Sequence, residues 1–229
     1  MFIANFRIKT AVQKLLYNVR ELLDFPTFHP GRAMLQAALV ESVQYICEHM
    51  PTAVAVETAR EAMDLALRNV SIDGHYLECG VFKGGTIRYI AARVSGREVH
   101  GFDSFVGLPD AWSGNTSSFD AKGQLPKVPA NVRLHRGFFS ESLPVWLASH
   151  DGPIAFLHID CDLYTSTRDI LQALAPRIVS GTILIFDEYF NYPHWQQHEF
   201  KAFQEFVATR QLTYEYLAYA RLQVVIKMR

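Results

Sequence analysis

Tyr76-Leu77-Glu78-Cys79-Gly80-Val81-Phe82-Lys83-Gly84-Gly85-Thr86 is the stretch from which the fold is read. A short strand runs into a glycine-bounded turn. Beyond it Ile87, Ile90, Ala91 and Val94 fall at i, i+3, i+4 and i+7, one face of a helix. The alternation continues downstream. Residues 99–102, 132–135, 154–159 and 183–186 read as strands, the last uniformly apolar as in a strand buried on both faces. A helix opening at Ser166, with Asp169 three residues on as a capping box, follows the fourth strand. Another, with Phe200, Phe203 and Val207 on one face, follows the fifth. Strands 214–218 and 222–227 lie so close in sequence that they form a hairpin. The pattern predicts an α/β fold: a Rossmann-like, mostly parallel sheet of seven strands, one of them antiparallel, with right-handed crossovers.

Upstream, residues 1–72 read as an N-terminal helical cover of the same domain, and residues 73–229 as the sheet domain. Leu35, Leu39, Val43, Ile46 and Met50 mark one face of a helix that Pro51 stops; Ala59, Met63, Ala66 and Val70 mark the next. Residues 6–23 are amphipathic and carry Arg7, Lys9 and Lys14. Two readings stand for them: a helix packed on the domain or a partner subunit, or one lying on a membrane surface. Residues 106–131 form a long irregular segment with Trp112, the pattern of a lid or binding loop.

Composition narrows the function classes. A chain of 229 residues with 49% hydrophobic and 20% charged residues is neither disordered nor fibrous. Lysine plus arginine number 22 against 23 aspartate plus glutamate, so the basic excess of a general nucleic-acid or anionic-membrane binder is missing. Cys47, Cys79 and Cys161 form no CxxC pair and no zinc set, which suggests a reducing compartment. No apolar run is long enough for a membrane helix, and the first residues lack signal-peptide order. The expectation is a cytoplasmic enzyme of small molecules, with no nucleic-acid or membrane partner, and with homo-oligomer contacts, if any, through the N-terminal helices.

In an open α/β sheet ligands bind outside the carboxyl ends of the strands, so residues just past each strand carry the chemistry. After the first strand, Gly80 and Gly85 sit where a dinucleotide fingerprint has its outer glycines, but Phe82 fills the middle position and would block a pyrophosphate. What remains is acidic-x-Gly-x-x-x-Gly, from Glu78 to Gly84. A carboxylate there can accept from an ammonium group while the glycines let a small ligand lie on the turn, which suits the amino-acid end of S-adenosylmethionine. Asp103, past the second strand, is placed to accept from ribose hydroxyls of either cofactor type. Asp160 ends the fourth strand, and Asp187 and Glu188 end the fifth. Three clustered carboxylates either solvate separately or hold a cation, and hard oxygen ligands select Mg2+, Ca2+ or Mn2+. Asp162 reads either as a cap of the next helix or as a further ligand. His158 reads either as a satisfied core residue or as support for the metal. The aromatic run Tyr189-Phe190-Asn191-Tyr192-Pro193-His194-Trp195 either stacks on an acceptor or packs against the lid.

Several ordered motifs resemble one family. Residues 77–85, then Asp103-Ser104-Phe105-Val106-Gly107-Leu108-Pro109, Gly137-Phe138-Phe139-Ser140 with Leu143-Pro144, Asp160-Cys161-Asp162-Leu163-Tyr164-Thr165-Ser166-Thr167, and residues 181–189 are similar to the macrocin O-methyltransferases of TylF and MycF type. The resemblance spans about residues 70–206. It implies a class I S-adenosylmethionine-dependent methyltransferase fold and Mg2+-assisted methylation of a sugar hydroxyl. It further implies Asp160, Asp187 and Glu188 as metal ligands; the family's acidic pair is usually two aspartates, and this chain has a glutamate second. The cofactor would lie against Glu78, Gly80, Gly84, Thr86, Asp103, Ser104 and Ser140. Asp160 would be both ligand and proton acceptor, and the partner a small-molecule hydroxyl acceptor, a sugar or glycoside. Rival readings are a metal-independent methyltransferase of a phenol or other small hydroxyl compound, and a non-catalytic binding protein on the same fold.

Overall fold

A computed structural model describes residues 29–94, 96–108 and 119–229. The amphipathic segment 6–23, with Arg7, Lys9 and Lys14, and the middle of the long loop, with Trp112, lie outside the described residues. In chain order the elements are α1 (Pro30–His49), β1 (Val54–Ala55), α2 (Ala59–Arg68), β2 (His75–Cys79), α3 (Gly85–Arg93), β3 (Val99–Asp103), β4 (Val132–Arg136), α4 (Phe139–Leu147), β5 (Ile154–Ile159), α5 (Tyr164–Leu174), β6 (Ile183–Phe186), α6 (Glu199–Arg210), β7 (Tyr214–Tyr219) and β8 (Val224–Met228).

They build one sheet in the order β1-β7-β8-β6-β5-β2-β3-β4. Only β8 runs antiparallel, to β6 on one side and β7 on the other, as the hairpin reading requires. The seven expected strands are present. The eighth is β1, two residues from the stretch read as helical, paired parallel with β7 at the sheet edge. Residues 1–72 are thus more than a cover: part of them extends the sheet. Helices line both faces. Ala38 and Met50 with Trp146, Ile170, Leu174 and Phe203 join one side of the core, so α1, α4, α5 and α6 pack there. Ala62, Ala66, Ile87 and Ile90 join the other, under α2 and α3. Strand residues alternate between the two: Leu184 and Phe186 face one layer, Ile183 and Ile185 the other.

Three local expectations are corrected. First, α5 does not open at Ser166. It begins at Tyr164 with Leu163 as its uncapped N-cap, and Ser166 is buried inside it. Thr167 already bonds the Leu163 carbonyl through both its amide and its hydroxyl, while Asp169 pairs with Arg168. Asp162 caps nothing; it takes φ +61° and turns the chain between β5 and α5. The capping box that does exist is Thr58 with Glu61 at the start of α2. Second, the apolar face read on α1 packs on the core only at its C-terminal end, through Ile46 and Met50. Ala38 and Ser42 face inward, and Leu35, Leu39 and Val43 are exposed with Met34 and Val40 beside them. Small residues let α1 approach closely: Ser42 Oγ donates to Ala38 O and accepts from the Asn191 amide. Third, the aromatic run after β6 does not line the cavity described below. Tyr189, Phe190 and Trp195 are buried in the core, with Trp195 edge-on to Tyr45 and Phe200. No helix among the described residues is long and apolar enough to cross a membrane.

Candidate functional site

A cavity of about 550 Å3 opens at the carboxyl ends of β2, β3, β4 and β5, within the usual range for small ligands. Its floor is the turn from β2 into α3. Gly80 takes φ +100°, and a Cβ there would lie 1.6 Å from the carbonyl oxygen of Asp160. Glycine is required because the turns after β2 and β5 touch backbone to backbone. Gly84, φ +73°, is the N-cap of α3, and the first turn of that helix presents Gly85 and Thr86 to the cavity. Phe82 also sits at positive φ, +45°, which costs a bulky residue of order 1–3 kcal/mol and is tolerated where the surroundings fix it.

Asp103 does the fixing. One carboxylate oxygen accepts from the amides of Val81 and Phe82, at 2.8 and 2.7 Å, and the other from the Phe105 amide at 2.6 Å. The residue ties the β2 turn to the β3 turn and still lines the cavity. A carboxylate has about four lone-pair sites, so acceptor capacity remains for a ligand hydroxyl. Ser104 shapes the next turn by donating to Gly107 O and accepting from Val106 N, and it too faces the cavity. Ser140, in the first turn of α4, lines the opposite wall with Phe138 and Phe139. Phe119, returning from the long loop, meets Phe82 edge-on at 5.4 Å.

Glu78 departs from its expected place. It is wholly buried beneath the turn rather than in the cavity wall. Its Oε1 lies 2.9 Å from His158 Nδ1, on the neighbouring strand, and its Oε2 has no partner. On its other side the His158 ring stands 3.9 Å from an Asp187 oxygen, too long for a hydrogen bond. Burial alone would push His158 down, but Asp187 and Glu78 override it and hold the ring well above the usual histidine range. Burial likewise acts to raise Asp187, and the facing imidazole holds it low. The His158 ring stands between the carboxylates of Glu78 and Asp187, and with Glu78 and Asp160 it forms a second group of converging ligand atoms.

Asp160, Asp187 and Glu188 come together as expected, each offering an oxygen within 4.8 Å of the others. Burial, then Asp187, raises Asp160 well above the carboxylate range. Burial, then Glu199 and Asp187, pushes Glu188 up to about 12, and its Oε2 has no partner. Burial beside Asp187 raises Asp162 to about 6. Such crowding of acidic groups is what a divalent cation relieves. The sequence did not single out Ser166 and Asp169 as cavity residues, yet α5 brings both to the wall beside Asp160 and Asp162. Starting that helix two residues too late concealed the face it shows.

The chain is similar to known proteins. Residues 77–189 match the family described as "Methyltransferase domain". The 8-demethyl-8-(2,3-dimethoxy-alpha-L-rhamnosyl)-tetracenomycin-C 4'-O-methyltransferase of Streptomyces olivaceus is 31% identical over 52% of this chain and 54% of its own. The mycinamicin III 3''-O-methyltransferase of Micromonospora griseorubida is 26% identical over 70% and 75%. Among solved structures, apo CalS11, described as a TDP-rhamnose 3'-O-methyltransferase in calicheamicin biosynthesis, superposes with a TM-score of 0.56 at 26% identity, covering 73% of this chain and 77% of that one. The chain spans little more than half the length of the tetracenomycin relative. With the strand-end cavity and the sheet order, residues 77–189 are similar to that methyltransferase family, and the sheet is the mostly parallel α/β fold of the solved neighbours.

Proposed function

We propose that the protein is an S-adenosylmethionine-dependent O-methyltransferase that uses Mg2+ and acts on a hydroxyl of a sugar or glycosylated small molecule. The observation that carries this reading is the carboxylate trio Asp160, Asp187 and Glu188, of which Asp160 lines the glycine-floored cavity. The relatives' sugar and glycoside substrates, as their names give them, support the acceptor class.

The residues fit both groups. For the cofactor, the cavity has the right size, Asp103 keeps spare acceptor capacity towards a ribose, and Glu78 holds one unpartnered oxygen for an ammonium group beneath Gly80. Thr86, Ser104 and Ser140 complete the walls of that reading, and Gly84, outside the wall, makes the turn into α3. For the cation, three converging carboxylates with an unpartnered Glu188 oxygen supply a hard donor set. S-adenosylmethionine supplies a methyl already made electrophilic by its sulfonium. Mg2+ supplies the charge that makes an alcohol acidic.

The chain's own task is then placement and proton handling. The floor at Gly80–Thr86 and the walls at Asp103 and Ser140 hold the methyl donor at the ends of β2, β3 and β4. Asp160, at the adjacent end of β5, faces the same space and accepts the proton of the acceptor hydroxyl. Orientation of two reactants in such a site is worth roughly 7–11 kcal/mol of barrier.

The test is an acceptor screen with methyl-labelled S-adenosylmethionine over rhamnosides, other glycosides and phenols, with Mg2+ or with EDTA. Label on a glycoside that disappears with EDTA, and falls at least 100-fold in Asp160→Asn, is the expected result. Undiminished turnover by folded Asp160→Asn overturns its role, activity that survives EDTA selects a metal-independent enzyme, and failure to bind S-adenosylhomocysteine selects a non-catalytic protein.

A further inference from the structure

Glu199 is the first residue of α6, is wholly buried, and belongs neither to the cavity wall nor to the carboxylate trio. Its two oxygens go to different places. Oε1 accepts from the Cys161 amide at 3.4 Å, with the Cys161 thiol 3.9 Å away, and Oε2 accepts from the Glu188 amide at 3.2 Å. These amides are not arbitrary. The sheet ladder ends with Asp160 N–H on Cys79 O and Asp187 N–H on Ile159 O. The next amide after each of those aspartates is the one that Glu199 takes. One side chain, delivered from a helix outside the sheet, therefore continues the ladder past its end and links the β5 turn to the β6 turn. The Tyr192 hydroxyl holds the same β6 turn from another side by donating to the Glu188 carbonyl.

The choice of residue is informative. A buried carboxylate beside four others is costly, and an apolar residue of the same size would fill the space more cheaply. What an apolar residue cannot do is accept from two amides that point out of separate strands. Glutamine cannot do it either, since only one of its two terminal atoms is an acceptor.

We propose that Glu199 is a positioning residue of the cation site, setting the spacing between Asp160 and the Asp187–Glu188 pair by bridging the Cys161 and Glu188 amides. The inference rests on the metal reading given above and extends it to a residue outside the ligand set. Groups that orient metal ligands from behind typically contribute 10–100-fold to metal affinity.

The experiment measures Mg2+ and S-adenosylhomocysteine binding by calorimetry on the full chain, wild type against Glu199→Gln, with circular dichroism to check folding. The expected result is a Mg2+ Kd raised tenfold or more while the S-adenosylhomocysteine Kd stays within twofold of wild type. A folded Glu199→Gln protein with Mg2+ affinity within twofold of wild type overturns the proposal, as does an equal loss of both affinities, which a general packing role would produce. Wild-type protein that binds no Mg2+ overturns the metal reading and this proposal with it, and the wild-type arm alone tells that outcome apart. If Glu199→Gln does not fold, Glu199→Asp takes its place: it keeps the carboxyl group but is too short to span both turns, so the same selective weakening is expected.

Discussion

A Cβ on Gly80 would clash with the Asp160 carbonyl at 1.6 Å, and the residue's φ of +100° is closed to side chains in any case. Gly80→Ala must therefore push the β2 and β5 turns apart, at a cost of about 3 kcal/mol or more from strain and overpacking together. Urea denaturation checks the magnitude, and whatever protein remains folded should have lost most of its Mg2+ affinity, because Asp160 moves with its backbone. At this scale the sequence was readable where a residue's chemistry depends only on its place at a strand end. Asp160, Asp187 and Glu188 were found that way and do converge. Glu78 was found but misplaced, since nothing local shows that His158 faces it across the β2–β5 pairing and draws it under the turn. Glu199 left no signal at all: its partners are backbone amides, which look the same whatever side chain they carry.

Among the elements, α1 is held by a polar hub as well as by apolar contacts. The Tyr216 hydroxyl on β7 lies 2.7 Å from that of Tyr45 on α1 and 2.8 Å from that of Tyr189 after β6. Gln204 on α6 donates to Tyr189 and Tyr214. Each hydroxyl has one proton to give, so removing the central one leaves buried neighbours short of a partner. Tyr216→Phe should cost about 1–2 kcal/mol, and amide exchange should quicken in α1 more than in β5, since α1 loses its link to the sheet while β5 keeps both neighbouring strands. Unchanged exchange in α1 would refute that coupling. The parallel strands were legible because a strand covered on both faces is apolar throughout, as in Ile183–Phe186. The two residues of β1 are too few to show a period. On α1 the read face packs at Ile46 and Met50, but in the earlier turns size, not hydrophobicity, decides: Ala38 and Ser42 go inward where the helix must lie close.

For the whole molecule, stability should depend on pH through histidines far from the cavity. His100 is buried against His135, with Nδ1 3.1 Å from its partner's Nε2, and against the rings of His75, His150 and Trp146. Arg133 stands near and Glu98 lies 3.6 Å from Nε2. Burial first, then the neighbouring histidines, pushes His100 down to about 3, and burial lowers His135 as well. Unfolded histidine binds its proton near pH 6.5, so the unfolded chain takes up protons that the folded one refuses. The contribution is complete above that pH and is lost progressively as pH falls from 6.5 towards 3. Between pH 7.5 and pH 5 wild type should lose about 1–2 kcal/mol relative to His100→Gln, the difference isolating this group from carboxylates that titrate oppositely. Equal loss in both proteins would refute it. The sheet order has a consequence for biosynthesis. β8 is made after β6 and β7, yet it stands between them and, among the described residues, is the one connection of β7 and β1 to the other strands. A nascent chain lacking residues 224–228 holds the cofactor half of its sheet and a detached edge with nothing to pair with. Ribosome stalling or premature termination just short of that strand would therefore release a species with two open sheet edges, prone to pair with other chains.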